Sequence, residues 1–198
     1  MAPPALLPRA NTHGDKREVI LNAALELFAE RGFHGTAVPL VAERAGVGAG
    51  TIYRYFESKE ALVNALYQKW KGEVASRVYT NFPQAADARS QFSAIWRRLA
   101  TFVLDNPQVY TFLELHHHGS YVDAKSRAIE NQLHDFAVGV IRKAQADGVL
   151  KPLDPELLLT LVHGAFIGIL RAVREGRVAV SLDTFLAAEP SCWDLVRK

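Results

Sequence analysis

Gly35–Leu62 reads GTAVPLVAERAGVGAGTIYRYFESKEAL. The stretch resolves into two short helical pieces, around Val38–Ala45 and Ala49–Phe56, joined at Ala45-Gly46-Val47. The joint supplies a small residue, a glycine free to take positive φ, and an apolar plug for the core. Two short helices across a tight glycine turn describe a helix-turn-helix, here residues 37–56. Ile52 and Phe56, four residues apart, share the inward face of the second piece, which turns Thr51, Tyr53, Arg54 and Tyr55 outward. Hydroxyls and a guanidinium on a short exposed helix are what contact with phosphates and base edges requires. Lys59, just after Ser58, adds a cation where backbone amides also attract phosphate.

Upstream, Asp15 with Glu18 reads as a capping box opening a helix. Ile20, Ala23, Ala24, Leu27 and Phe28 form its apolar face, and Gly32 supplies a left-handed stop. Residues 15–60 thus read as a three-helix DNA-binding domain. Met1–Gly14, rich in Ala, Pro and Leu, reads as a disordered leader without the basic start and long apolar core of a secretory signal.

Downstream, residues 61–198 read as a helical domain. Ser58 caps a helix carrying Leu62, Leu66, Trp70 and Val74, and Asn81-Phe82-Pro83 breaks that pattern. Phe92, Ile95, Trp96, Leu99, Phe102 and Val103 recur at helical spacing, as do Ile129, Leu133, Phe136, Val140 and Ala144 before Asp147-Gly148. Asn106-Pro107 and Asp154-Pro155 are helix starts with proline at the first position. Leu157–Val173 is apolar nearly all round and must be covered on more than one side. Thr160, His163, Gly164 and Gly168 interrupt it, leaving it short of the ~20 apolar residues of a membrane span. A last helix starts at Ser181, with Pro190 expected to end or kink it. The reading is all-α, about nine helices in two domains, and a cytoplasmic protein.

The chain has 198 residues, 23 basic against 21 acidic, with 49% apolar and 22% charged residues, as in ordinary soluble proteins. A net charge of +2 does not by itself imply nucleic acid. One cysteine, Cys192, excludes an internal disulfide framework and reads as structural beside Pro190 and Trp193. No GxSxG, phosphate-binding glycine loop or framed carboxylate pair supports catalysis. Nothing calls for a cofactor or a metal. His116, His117 and His118 would point about 100° apart on a helix, with Glu114 the lone nearby carboxylate, so they read as helix-end or pocket lining. His163 reads as a satisfied buried histidine or a polar anchor for a ligand. The rings of Trp70, Phe92, Trp96, Phe102, Tyr110, Phe112 and Phe166 could line an apolar cavity, although aromatics at helical spacing usually read as core packing.

The stretch Ala42–Leu62, together with LFAERGF at Leu27–Phe33, closely resembles the TetR family of bacterial transcriptional repressors. The resemblance implies a homodimer on a palindromic double-stranded operator, one recognition helix per subunit in successive major grooves. It implies phosphate contacts from Thr36, Tyr53, Tyr55 and Lys59, and base-edge proximity for Ala49, Gly50, Thr51 and Arg54. Lys16 and Arg17 would reach the flanking backbone. This chain departs from the pattern in three places. Ala37 stands where a capping hydroxyl is usual, and Gly48 and Ala49 stand where a hydroxyl and then a cation are frequent. Met1–Glu60 is also neutral, with seven basic and seven acidic residues.

The resemblance further implies that the C-terminal domain encloses a small apolar or aromatic effector, with His116, His117, Tyr121 and His163 as polar candidates among the rings named above. It places the dimer interface on the last two long helices, about Pro155–Glu175 and Ser181–Val196, with Leu158, Leu161, Ala165 and Leu170 as candidates. Gly164-x-x-x-Gly168 would allow close helix approach. The function implied is a repressor released from its operator by the effector. The alternative is the same fold with tight DNA binding lost, serving as a small-molecule or protein-binding module.

Overall fold

The computed structural model describes residues 12–115 and 119–198. Apolar residues spaced three and four apart leave helix as the state of nearly every described segment. Nine helices occur among the described residues: α1 (Thr12–Arg31), α2 (Val38–Arg44), α3 (Ala49–Tyr55), α4 (Lys59–Tyr79), α5 (Ala88–Asp105), α6 (Pro107–Leu115), α7 (Ala124–Ala146), α8 (Pro155–Arg174) and α9 (Leu182–Val196). The one β feature described is a single antiparallel bridge, Leu150 to Arg197. Two compact units divide the chain at Leu66/Tyr67, inside α4, so one continuous helix belongs to both.

In the first unit α2 packs on α1 and on α3. Ile20, Leu21, Ala24, Leu27 and Phe28 of α1 bury with Val41 of α2, Ile52 of α3 and Leu62 of α4. Helix α1 begins at Thr12, so Asp15 lies within its first turn and not at a capping position; the capping-box reading is corrected, as is the leader reading for Thr12–Gly14. Met1–Asn11 lie outside the described residues. Ala37 makes no side-chain cap for α2, as the sequence implies, whereas the Ser58 hydroxyl accepts the Ala61 amide and opens α4.

The α2–α3 turn closes as a Schellman motif. The Val47 amide donates to the Ala42 carbonyl at 2.9 Å and the Gly46 amide to the Glu43 carbonyl at 3.1 Å. That geometry holds Gly46 at φ +63°, a left-handed conformation that side chains resist.

In the second unit α5 packs on α9 and α6, and α8 packs on α7 and α9. Aspartates 87, 123 and 154 and Ser181 cap α5, α7, α8 and α9 by accepting amides of the first turn. The Lys151 amide donates to Val196 and the Lys198 amide to Val149, both at 2.9 Å, pinning the C-terminus to the α7–α8 loop. Helix α9 runs through Pro190, contrary to the expected stop. Two contacts hold the turns before it, the Trp96 indole donating to the Phe185 carbonyl at 2.7 Å and the Glu189 carboxylate binding the Arg89 fork and the Ser93 hydroxyl, and Cys192, Trp193 and Val196 bury the turns beyond it.

A Cβ built on Gly46 meets nothing within 4 Å, so substitution there strains the backbone alone. We expect Gly46→Ala to lose about 1–2 kcal/mol in urea unfolding and Gly46→Asn to lose less. An unchanged midpoint for the alanine variant would show that the turn relaxes freely.

Candidate functional site

In the first unit the outward face of α3 carries the candidate reading residues. Tyr53 is 53% exposed. Arg54 and Gly50 are exposed, while Ala49, Thr51 and Tyr55 are half-buried. Ile52 and Phe56 bury inward as their spacing requires. Most cations around this face are committed. Arg44 pairs with Glu26 at 2.7 Å, Arg31 with Glu30 at 3.4 Å, and Arg17 with Glu18 at 3.7 Å while lying over the Phe56 ring. The Arg54 guanidinium has no ion-pair partner among the described residues, and Lys16 stands exposed at the start of the visible surface.

Two phosphate contacts implied by the resemblance are corrected. Thr36 is 1% exposed. Its hydroxyl lies 3.1 Å from the Leu27 carbonyl and 2.9 Å from that of Gly32, closing the end of α1. The Lys59 ammonium donates to the Phe33 and Thr36 carbonyls at 2.8 and 3.0 Å and lies 4.0 Å from the Phe33 ring centroid. Both side chains therefore brace the turn between α1 and α2.

In the second unit α4 to α9 all contribute to a cavity of about 440 Å³, a size that suits a drug-like ligand. Phe92, Trp96, Phe166 and His163 line it, as the sequence allows. Trp70, Phe102, Tyr110, Phe112 and Tyr121 do not. Their helix faces turn elsewhere: Phe102 packs beside Trp70 with centroids 6.4 Å apart, and Phe112 beside Tyr67 at 6.5 Å. His116–His118 lie outside the described residues. Sequence reasoning missed Lys71, Glu114, Phe136 and Trp193 as lining residues. The inward register of α4 and α6 carries Lys71 and Glu114 there, but charged residues on a helix read by default as solvated.

Glu114 is the polar centre of this wall. Its Oε1 accepts from the Lys71 ammonium at 2.9 Å, and His163 Nε2 stands 3.5 Å from Oε2. Burial pushes the carboxyl pKa upward, but the hydrogen bond from His163 and the Lys71 charge outweigh it and hold it down at about 2. His163 is 55% exposed, so the buried-histidine reading is corrected: it stands at the cavity mouth. At the rim His134 Nε2 lies 2.7 Å from Glu156. Burial, with the Glu130 carboxylate beside it, raises the Tyr67 hydroxyl.

Helix α8 divides its apolar surface. Leu158, Phe166 and Leu170 are buried within the protomer, so Leu158 and Leu170 are corrected as interface candidates. Leu157 and Leu161, 47% and 40% exposed, share the outward side with Gly164, Ala165 and Gly168. A shallow groove there is floored by Ala165, Gly168, Ala172, Ala187 and Ala188. Only 22% of the most apolar window of α8 is buried, and its mean hydropathy of 1.7 reaches that of a membrane span. The expectation that this run falls short of a span is therefore corrected: neutral interruptions lower hydropathy far less than charges do.

Residues 20–66 match the family model of bacterial regulatory proteins of the tetR family, and residues 67–198 match that of a tetracyclin repressor-like C-terminal domain. The fatty acid metabolism regulator protein of Bacillus subtilis (strain 168) is 27% identical over 148 residues, covering 73% of this chain and 76% of that relative. A TetR family transcription regulator from Marinobacter aquaeolei VT8 superposes with a TM-score of 0.83 at 23% identity, over 96% of this chain and 100% of that one. The transcriptional regulator FadR from Bacillus subtilis, solved in complex with stearoyl-CoA, superposes at 0.69 with 22% identity, over 90% and 96% of the two chains. These two structures show the shared fold.

The depressed Glu114 pKa fixes a sign. Between the ordinary carboxyl value of 4.5 and about 2, the unfolded chain binds the proton that the folded chain does not. The stabilisation is whole above pH 4.5 and fades as pH falls through about 2. Glu114→Gln should unfold more readily than wild type at pH 7, because Lys71 loses its partner. The gap in urea midpoint should shrink from pH 5 to pH 3. A constant gap would contradict the ion-pair assignment.

Proposed function

The chain belongs to the TetR family of bacterial regulatory proteins, and from that premise we propose a homodimeric repressor that reads a palindromic operator through α3 and is released by a small molecule in the second-unit cavity. The observation that carries the reading is a division of labour within one chain: an exposed helix whose guanidinium is unpaired among the described residues in one unit, and an apolar cavity in the other.

The DNA contacts divide by availability. Arg54, whose guanidinium has no ion-pair partner among the described residues, acts at base edges, with Thr51 and Gly50 beside it. Tyr53, Tyr55, Lys16 and Arg17 contact the backbone. Thr36 and Lys59 are positioning residues, holding the α1–α2 turn that carries α2 and α3. Because the first sixty residues are electrically neutral, affinity rests on these few placed groups and not on a diffuse positive field.

The dimer forms across the outward faces of α8 and α9. Leu161 and Ala165 remain interface residues, joined by Leu157 and the small-residue groove. A two-fold pairing of one apolar patch with its copy is self-complementary, and it also covers the surface that would otherwise suit a lipid phase. Helices closing over Gly164 and Gly168 approach without side-chain obstruction.

Release follows from population shift. An effector that prefers a dimer whose half-site spacing departs from the ~34 Å of successive major grooves draws the protein off DNA, by no more than its differential affinity for the two forms. The stearoyl-CoA complex of the Bacillus subtilis regulator supports small-molecule binding by a protein of this fold. The protein works in the bacterial cytoplasm, where its operator is.

Fluorescence anisotropy on operator DNA at several salt concentrations checks the assignments. Arg54→Ala should lower specific affinity by about 1–3 kcal/mol with little change in thermal midpoint. Thr36→Val should lower the thermal midpoint and leave the salt slope intact. The reverse pattern would contradict the division into reading and positioning residues. Leu161→Glu should give a folded monomer in sedimentation velocity with operator affinity lost; a dimer of unchanged affinity would place the interface elsewhere.

A further inference from the structure

The cavity wall holds more charge of one sign than its apolar character suggests. Glu114, Glu130 and Glu156 line it against Lys71, the one permanent cation there, while His134 and His163 each lie against one of those carboxylates. Glu130 and Glu156 are exposed at the rim and Glu114 stands inside. An entering anion passes the rim carboxylates before it reaches Lys71, which Glu114 already occupies.

The rings add to the same preference. Phe92 and Trp96 stack with centroids 5.9 Å apart, and Phe166 stands edge-on to Trp96 at 5.1 Å. Aromatic faces carry negative charge density and attract organic cations. The two oxygens of Glu114 are also unequal. Oε1 has Lys71 at 2.9 Å, whereas Oε2 takes a longer and weaker bond from His163 at 3.5 Å, and a carboxylate oxygen accepts two donors. A strong acceptor facing an aromatic-walled cavity is left with room for one more donor.

Resting on the reading of this cavity as the effector site, we propose that the effector is a lipophilic amine or other organic cation, its charged nitrogen seated on Glu114 Oε2 and its apolar body against Phe92, Trp96 and Phe166. The rim carboxylates concentrate cations at the mouth. Lys71 balances Glu114 when the cavity is free, so the buried carboxylate is never left alone.

Isothermal titration calorimetry of the full chain with decylammonium, decanol and decanoate tests this, because the three share a chain and differ in head charge. Decylammonium should bind at least tenfold tighter than either of the others. Glu114→Gln should erase that preference. Binding of decanol by Glu114→Gln as tightly as by wild type shows that the variant is folded and its cavity intact. Equal or tighter binding of decanol or decanoate, or a preference that survives Glu114→Gln, overturns the proposal while the cavity stands as a ligand site. No heat from any of the three overturns the proposal and the effector-site reading together.

Discussion

A twenty-residue helix that is apolar on nearly every side has more surface to hide than one protomer can cover. Helix α8 is that element: Leu158, Phe166 and Leu170 turn inward, and Leu157, Leu161 and the glycine-alanine strip stay in water. At about 25 cal/mol per Å², leaving such a stripe exposed is unfavourable unless something pairs with it. In the proposed dimer a second copy of the same stripe would do so with two-fold symmetry, and such a dimer would call for a two-fold operator. The inward face of α8 meanwhile forms part of the cavity wall, so one helix carries both the exposed apolar stripe and part of the cavity lining.

Helix α4 provides the corresponding link along the chain. Its first turns complete the core around α1–α3 through Leu62 and Leu66, and its later turns bring Lys71 to the cavity. The residue that pairs with Glu114 thus belongs to the same helix, Lys59–Tyr79, whose first turns bury Leu62 and Leu66 in the first unit.

Much of this was legible before any coordinates. Periodicity locates every helix, Gly46 marks the turn, and Ile52 with Phe56 orients α3, because local spacing and backbone chemistry decide those features. Four readings failed for reasons that lie in tertiary partners. Thr36 and Lys59 look like surface donors until the carbonyls of Leu27, Gly32 and Phe33 are seen to occupy them. Pro190 is tolerated because the Glu189–Arg89 pair and the Trp96 bond hold α9 before it and the buried Cys192, Trp193 and Val196 hold it beyond. The aromatic set divides between core and cavity according to the faces that α5 and α6 present, which spacing alone does not assign. Lys71 and Glu114 were missed because a buried ion pair leaves no signature in either residue's local sequence.

The central claim is that α3, presented by a two-fold dimer, reads a specific DNA sequence. Selection of the full-length protein against random-sequence duplex DNA tests it most directly. The account predicts enrichment of one palindrome whose half-site centres lie about one helical turn apart, with enrichment lost for Arg54→Ala. Failure to enrich any sequence, or enrichment of a motif without two-fold symmetry, would contradict it.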